Sequence, residues 1–170
     1  MTLAQLNALT DAEAHAALER CCGSACWVRE MMAARPFKDV RALHAAADRA
    51  FARLEREDWL EAFAHHPMIG DVDTLRAKFA STAAWAGEEQ RGAAMADEMT
   101  LLSLANENRA YRDRFGYIFI VSATGKSAAQ MLEILRERSG HDPETELEVA
   151  AGEQRKITKL RLEKLLAESS

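Results

Sequence analysis

The chain of 170 residues has little proline, glycine or cysteine: three, eight and three residues respectively. So few breakers exclude a loop-rich or low-complexity chain. With 48% hydrophobic and 29% charged residues, the composition points to a compact, largely helical protein. The cysteines, Cys21, Cys22 and Cys26, are too few and too crowded for a disulfide framework and match no zinc spacing. On a helix, Cys22 and Cys26 share a face and read as small buried apolar residues. No apolar run approaches the ~20 residues needed to span a bilayer. The start, Met1-Thr2-Leu3-Ala4-Gln5, lacks the basic and apolar regions of a signal peptide, and Glu168-Ser169-Ser170 is not a peroxisomal Ser-Lys-Leu address. A cytosolic location is expected, with no membrane partner. At a net charge of −5, Lys and Arg are scattered among acids and form no basic stripe, so no nucleic-acid partner is expected either.

The length suits one domain over residues 1–170. Thr10 with Glu13 forms a capping box for a helix running toward Cys22, and Gly23 is placed to end it. Ser24 can cap a helix carrying Trp27, Val28, Met31 and Met32. Asp39 opens a segment in which Val40, Leu43, Ala47, Ala50, Phe51 and Leu54 recur at helical spacing. A short helix with Trp59, Leu60 and Phe63 follows, then one opened by Asp71. From about Gly87 a long helix carries Met95, Met99 and Leu102 on one stripe and Ala94, Leu101 and Ala105 on the next, ending at Gly116. Ser127 caps another helix, and a last one follows Asp142-Pro143. Tyr117 to Ala123 is rich in β-branched and aromatic residues and reads as extended. The expected fold is all-α: a single-domain bundle of about eight helices with one short extended segment near 117–123.

That segment raises a question of hydrogen bonding, because buried backbone donors and acceptors need partners and no convincing second strand exists. Side chains, water, a dimer mate or a ligand rich in N–H and C=O groups could each supply them. The other conspicuous feature is His66-Pro67-Met68-Ile69-Gly70-Asp71, preceded by His65. Proline pushes the residue before it out of the α region, which places His66 where a helix stops. By itself such a histidine is more often a structural corner than a catalyst. Glu89, in the first turn of the long helix, shares its face with Ala93 and Ala96, which leaves space beside the carboxylate. The ordinary first-turn acid simply complements the helix dipole and faces water, and taken locally that reading is the favoured one.

On the last helix, Leu147, Gln154 and Arg161 are seven apart and fall on one seam, near Ala150, Ile157 and Leu165, so two polar side chains point inward. Arg161 is expected to form a buried ion pair or, with its guanidinium fork, to hold a carboxylate substrate. Thr124-Gly125-Lys126-Ser127 resembles the end of a phosphate loop, but Ile120 stands where that motif needs glycine, so nucleotide binding is rejected. His65, His66 and Asp71 could be imagined around a metal. Adjacent residues point apart, however, and no His-x3-His pair accompanies them, so no metal is expected.

In order and spacing these pieces resemble one family, 2-oxo-4-hydroxy-4-carboxy-5-ureidoimidazoline (OHCU) decarboxylase. His66 to Asp71 resembles its H-P-x-I-G-D corner, and Glu89-Gln90 the end of its S-x-x-E-Q element. Phe115 to Ser127 is similar to its F-G-[FY]-x-F-I-x-x-A-T-G-K-S stretch. Asp142-Pro143, Glu146-Leu147, Glu153-Gln154-x-Lys156-Ile157 and Leu160-Arg161-Leu162 resemble its C-terminal signature. The resemblance implies an all-helical, homodimeric, cofactor-free lyase that converts OHCU to (S)-allantoin and carbon dioxide, the last step of urate oxidation to allantoin. It implies that His66 is the catalytic acid/base, aided by Glu89, with Pro67 beside the substrate. Ala86, Gly87, Glu88, Glu89 and Gln90 and the backbone of Phe119, Ile120, Val121, Ser122 and Ala123 would line the site. Two positions depart from the pattern: Ala86 replaces the family's serine, and Met68 stands where arginine is frequent. The competing expectations are an inactive helical interaction module of the same fold and a metal-dependent hydrolase built on His65, His66 and Asp71.

Overall fold

A computed structural model describes residues 1–67, 71–79 and 88–167, with side chains for all of them except Lys78 and residues 88–96. Among the described residues there are nine helices and no strand: α1 (Leu3–Ala8), α2 (Asp11–Cys21), α3 (Ala25–Ala34), α4 (Val40–Phe51), α5 (Arg56–Ala64), α6 (Val72–Phe79), α7 (Glu88–Phe115), α8 (Ala128–Ser139) and α9 (Pro143–Ala167). The chain is all-α, as expected. The residues cluster into two compact units. One comprises residues 1–66, 120–122 and 151–170, the other 67–119 and 123–150.

Capping chemistry fixes most of the boundaries. Thr10 and Glu13 exchange side-chain and backbone hydrogen bonds at the start of α2, as Ser127 and Gln130 do for α8. Ser24 accepts from the Trp27 amide and Asp39 from the Ala42 amide. Asp71 accepts from both the amide and the hydroxyl of Thr74, at 2.6 and 2.9 Å, and the amide bond holds its carboxyl below the usual carboxylate range. Helix α1 is an addition to the expected set. Its six residues are too short to show a period, and only the Thr2–Gln5 capping box announces it.

In the first unit α3 packs against α2, α4 and α5. The core is a chain of ring contacts, Trp27–Phe51–Trp59–Phe63, with centroids 5.7, 5.6 and 6.3 Å apart. The Arg155 guanidinium of α9 lies over the rings of Phe51 and Trp59. Gly23 does follow the end of α2, but it is not a left-handed cap, since among the described residues positive φ occurs only at Gly116 and Gly125. Its role is close approach: a Cβ added there would lie 2.2 Å from Cγ of His65.

In the second unit α7 packs against α6 and α8. Its buried seam is Leu101, Leu104, Ala105, Tyr111 and Phe115. Of the stripe expected to share that role, Met99 and Leu102 are 66% and 45% exposed. The core is set by the 104–111–115 spacing, which turns these two outward. Gly116, at φ 84°, ends α7 as expected. Arg138 of α8 and Glu146 of α9 form a buried ion pair, 2.9 Å between Nη2 and Oε2, and Tyr111 donates to the same carboxylate at 2.6 Å. That hydrogen bond and burial push the Tyr111 phenol well above its ordinary range, burial contributing most. The Arg138 guanidinium also lies 4.6 Å from the centroid of Phe119, which packs edge-on against Tyr111.

Candidate active site

Helix α5 ends in a C-terminal turn: the His65 amide donates to the carbonyl of Ala62 and that of His66 to Phe63. Pro67 follows and cannot continue the hydrogen-bond ladder. The two histidines diverge from this turn. The His65 ring lies against Gly23, with Nδ1 3.0 Å from the carbonyl of Glu61. The His66 ring is partly buried and points to α9. There Nε2 lies 2.6 Å from Oε1 of Gln154, and Nη2 of Arg161 is 3.5 Å from Nδ1.

Gln154 is fully buried and its amide nitrogen donates to Oγ1 of Thr158 at 3.0 Å, while Thr158 hydrogen-bonds the Cys22 side chain. Burial pushes the Cys22 thiol up to about 11, so it stays protonated at neutral pH. Burial also moves His66 in the neutral direction, below its ordinary value. The Gln154 hydrogen bond opposes this, while the positive charge of Arg161 and the neighbouring His65 add to it. His66 is therefore a neutral imidazole at pH 7, competent to accept a proton.

Arg161 does not form the expected buried ion pair. Its Nη1 contacts the carbonyl of Arg20 at 3.4 Å, and no ion pair among the described residues joins it to a carboxylate. The buried pair is instead Arg138–Glu146, because α9 turns Glu146 inward one turn from its start, where Arg138 meets it. Arg161 is thus a partly buried cation beside a neutral imidazole.

Residues 120–122 of the extended segment belong to the same unit as His66, Gln154 and Arg161. Residues 118–123 have no helix or ladder, and the Ser122 amide donates to Oε1 of Glu153 at 3.2 Å, so a side chain takes that position. Phe119 is held by Tyr111 and Arg138, and the Ala123 carbonyl accepts from Lys126 in the following turn. Pro67 stands directly after His66. Of the remaining expected site residues, Ala86 and Gly87 lie outside the described residues, and Glu88, Glu89 and Gln90 are described only as the first residues of α7. Met68, Ile69 and Gly70 of the corner also lie outside. Among the described residues no group of three or more His, Cys, Asp or Glu side chains could hold a metal ion.

The partner of His66 was the residue least visible in the sequence. Gln154 was placed inward by its spacing from Leu147 and Arg161, but nothing local joins it to a histidine 88 positions earlier.

A family model described as OHCU decarboxylase matches residues 7–163. The uric acid degradation bifunctional protein TTL of Arabidopsis thaliana is 38% identical over 152 residues, which cover 88% of this chain and 46% of that protein. A 2-oxo-4-hydroxy-4-carboxy-5-ureidoimidazoline decarboxylase of Haloferax volcanii is 29% identical over 163 residues, covering 95% of this chain and 94% of that one. The chain thus spans less than half of the bifunctional plant relative and nearly all of the archaeal one. A crystal structure of OHCU decarboxylase in the presence of (S)-allantoin superposes with a TM-score of 0.71 at 34% identity, covering 94% of this chain and all of that chain. With its helices, its His-Pro corner and the match across residues 7–163, this chain belongs to the OHCU decarboxylase family.

Proposed function

We propose that the protein is a carboxy-lyase that decarboxylates OHCU to (S)-allantoin without a cofactor. The observation that carries the reading is the pairing of a neutral, partly buried His66 with the Arg161 cation on a family-matched scaffold. The substrate is an anion, and a guanidinium fork suits its carboxylate. Breaking the bond to the carboxylate releases carbon dioxide and leaves an electron pair on a carbon next to the ring C=N. That pair forms a carbon–carbon double bond as the ring nitrogen takes up the charge and then a proton from solvent, giving a neutral enol. The enol hydroxyl then loses its proton and the carbon bearing the ureido group gains one, which completes allantoin. Protonation from one face sets the S configuration.

His66 is the group suited to the hydroxyl proton, since a neutral imidazole near its working pH is an effective general base. Arg161 docks and aligns the carboxylate, and Glu89 orients the substrate or the histidine. The working form is taken to be a homodimer, as the family resemblance implies. The activity is tested by supplying OHCU freshly made from urate with urate oxidase and hydroxyisourate hydrolase and following circular dichroism. Rapid growth of an (S)-allantoin signal is expected. Slow, racemic product at the uncatalysed rate would instead indicate a helical module that has kept the fold and lost the reaction.

A further inference from the structure

We infer that Gln154 is a positioning residue that fixes the tautomer of His66, placing the proton on Nε2 and making Nδ1 the nitrogen that works on substrate. This rests on the decarboxylase reading for its catalytic meaning, but its structural half stands alone.

Two contacts on opposite sides of the ring require the same tautomer. A guanidinium has only donors, so the Arg161 Nη2 that faces Nδ1 at 3.5 Å meets a lone pair there and not a second N–H. With Nδ1 bare, the neutral ring carries its proton on Nε2, where Oε1 of Gln154 accepts it at 2.6 Å. The amide orientation agrees, because the other end of Gln154 donates to Thr158 Oγ1 at 3.0 Å. Gln154 is fully buried and spans two fixed partners, so turning the amide over would set a donor against the Nε2–H and oblige Thr158 to supply a proton instead. A run of polar contacts thus leads from Arg161 through His66 and Gln154 to Thr158, all within one compact unit.

The chemical consequence is directional. The 3.5 Å contact is long for a hydrogen bond, so a substrate hydroxyl can take the Arg161 position at Nδ1 while its carboxylate engages the guanidinium. When Nδ1 accepts the proton, Gln154 Oε1 continues to accept from Nε2 and stabilises the imidazolium without itself ionising. A carboxylate at 154 would do this too strongly and hold the ring charged beforehand.

The test is ¹⁵N NMR of the ligand-free, histidine-labelled full chain, combined with steady-state kinetics. For His66 above its titration midpoint, a pyridine-type Nδ1 and a pyrrole-type Nε2 are expected, and the reverse assignment would overturn the inference without any variant being made. Gln154→Met removes the acceptor at Nε2 and leaves only the long Arg161 contact to bias the ring, so kcat should fall on the order of 10- to 100-fold, as loss of a histidine's orienting partner does elsewhere, with KM little changed. Gln154→Glu should move the acid limb of the pH–rate profile upward. An unshifted limb, or an unchanged kcat in a folded Gln154→Met protein, would overturn the role. If the wild type makes no (S)-allantoin yet shows the expected tautomer, the decarboxylase reading fails and the tautomer assignment does not. An active wild type with a protonated Nδ1 fails in the opposite way.

Discussion

Nε2 of His66 lies 2.6 Å from Oε1 of Gln154, although 88 positions separate the two residues in the chain. This contact joins the His-Pro corner to α9 and leaves the other face of the imidazole to Arg161. The environment of the ring, burial first and the Arg161 charge among the smaller causes, favours the neutral form.

The sign of the resulting pH dependence follows. The folded pKa of His66 is lowered, so the unfolded chain binds this proton more readily. Stability is fully present above the unfolded value of ~6.5 and is lost as pH falls from there toward the lower folded pKa. Urea unfolding of wild type and His66→Asn across this window should show a smaller loss for the variant. The base activity of His66 should likewise persist below pH 6.5, read as the acid limb of kcat/KM.

Arg161 is expected to bind substrate more than to speed its reaction, because it can grip the carboxylate before and during bond cleavage. Arg161→Met should raise KM roughly 10- to 100-fold, the range for losing a hydrogen bond to a charged group. A large fall in kcat at constant KM would place Arg161 in the chemical step instead.

Gly23 and His65 are coupled by space. Gly23→Ala puts a methyl group 2.2 Å from Cγ of His65 and should cost about 1–3 kcal/mol in urea unfolding. In a Gly23→Ala/His65→Ala double variant most of that cost should vanish relative to His65→Ala. Additive losses would show that the clash is relieved elsewhere.

Glu146→Gln removes the carboxylate charge that compensates buried Arg138 across the 2.9 Å ion pair. A loss of about 3–5 kcal/mol in unfolding free energy is expected. A near-neutral effect would mean that water or another acceptor reaches Arg138.

Helix starts are legible in the sequence because their chemistry is local. Thr10, Ser24, Asp39, Ser127 and Asp142 each announce a helix because a short polar side chain satisfies amides only three residues away. Gly116 was legible for the same reason, as a helix end needing positive φ. Gly23 is legible as a helix end, but its close approach is not, because the residue it accommodates, His65, is remote in sequence. Arg161 was expected in a buried ion pair and Arg138 was not singled out, although Arg138 has the buried carboxylate. Both are arginines on amphipathic helices, and only the packing of α8 on the start of α9 decides which is enclosed. The Met99–Leu102 stripe had the right period on the exposed face of α7, since a period fixes a face and not what lies opposite. In the candidate site, His66 and Arg161 were named from motif and spacing. Their common contact required the folded chain.

His66 is proposed to carry proton transfer in the decarboxylation. The most direct measurement compares wild type with His66→Asn in the coupled (S)-allantoin assay, after far-UV circular dichroism and unfolding have established that the variant is folded. General acid/base catalysis contributes ~10²–10⁴-fold, so turnover should fall by that factor. A folded His66→Asn protein that produces (S)-allantoin at near-normal rate would remove His66 from the proton transfer.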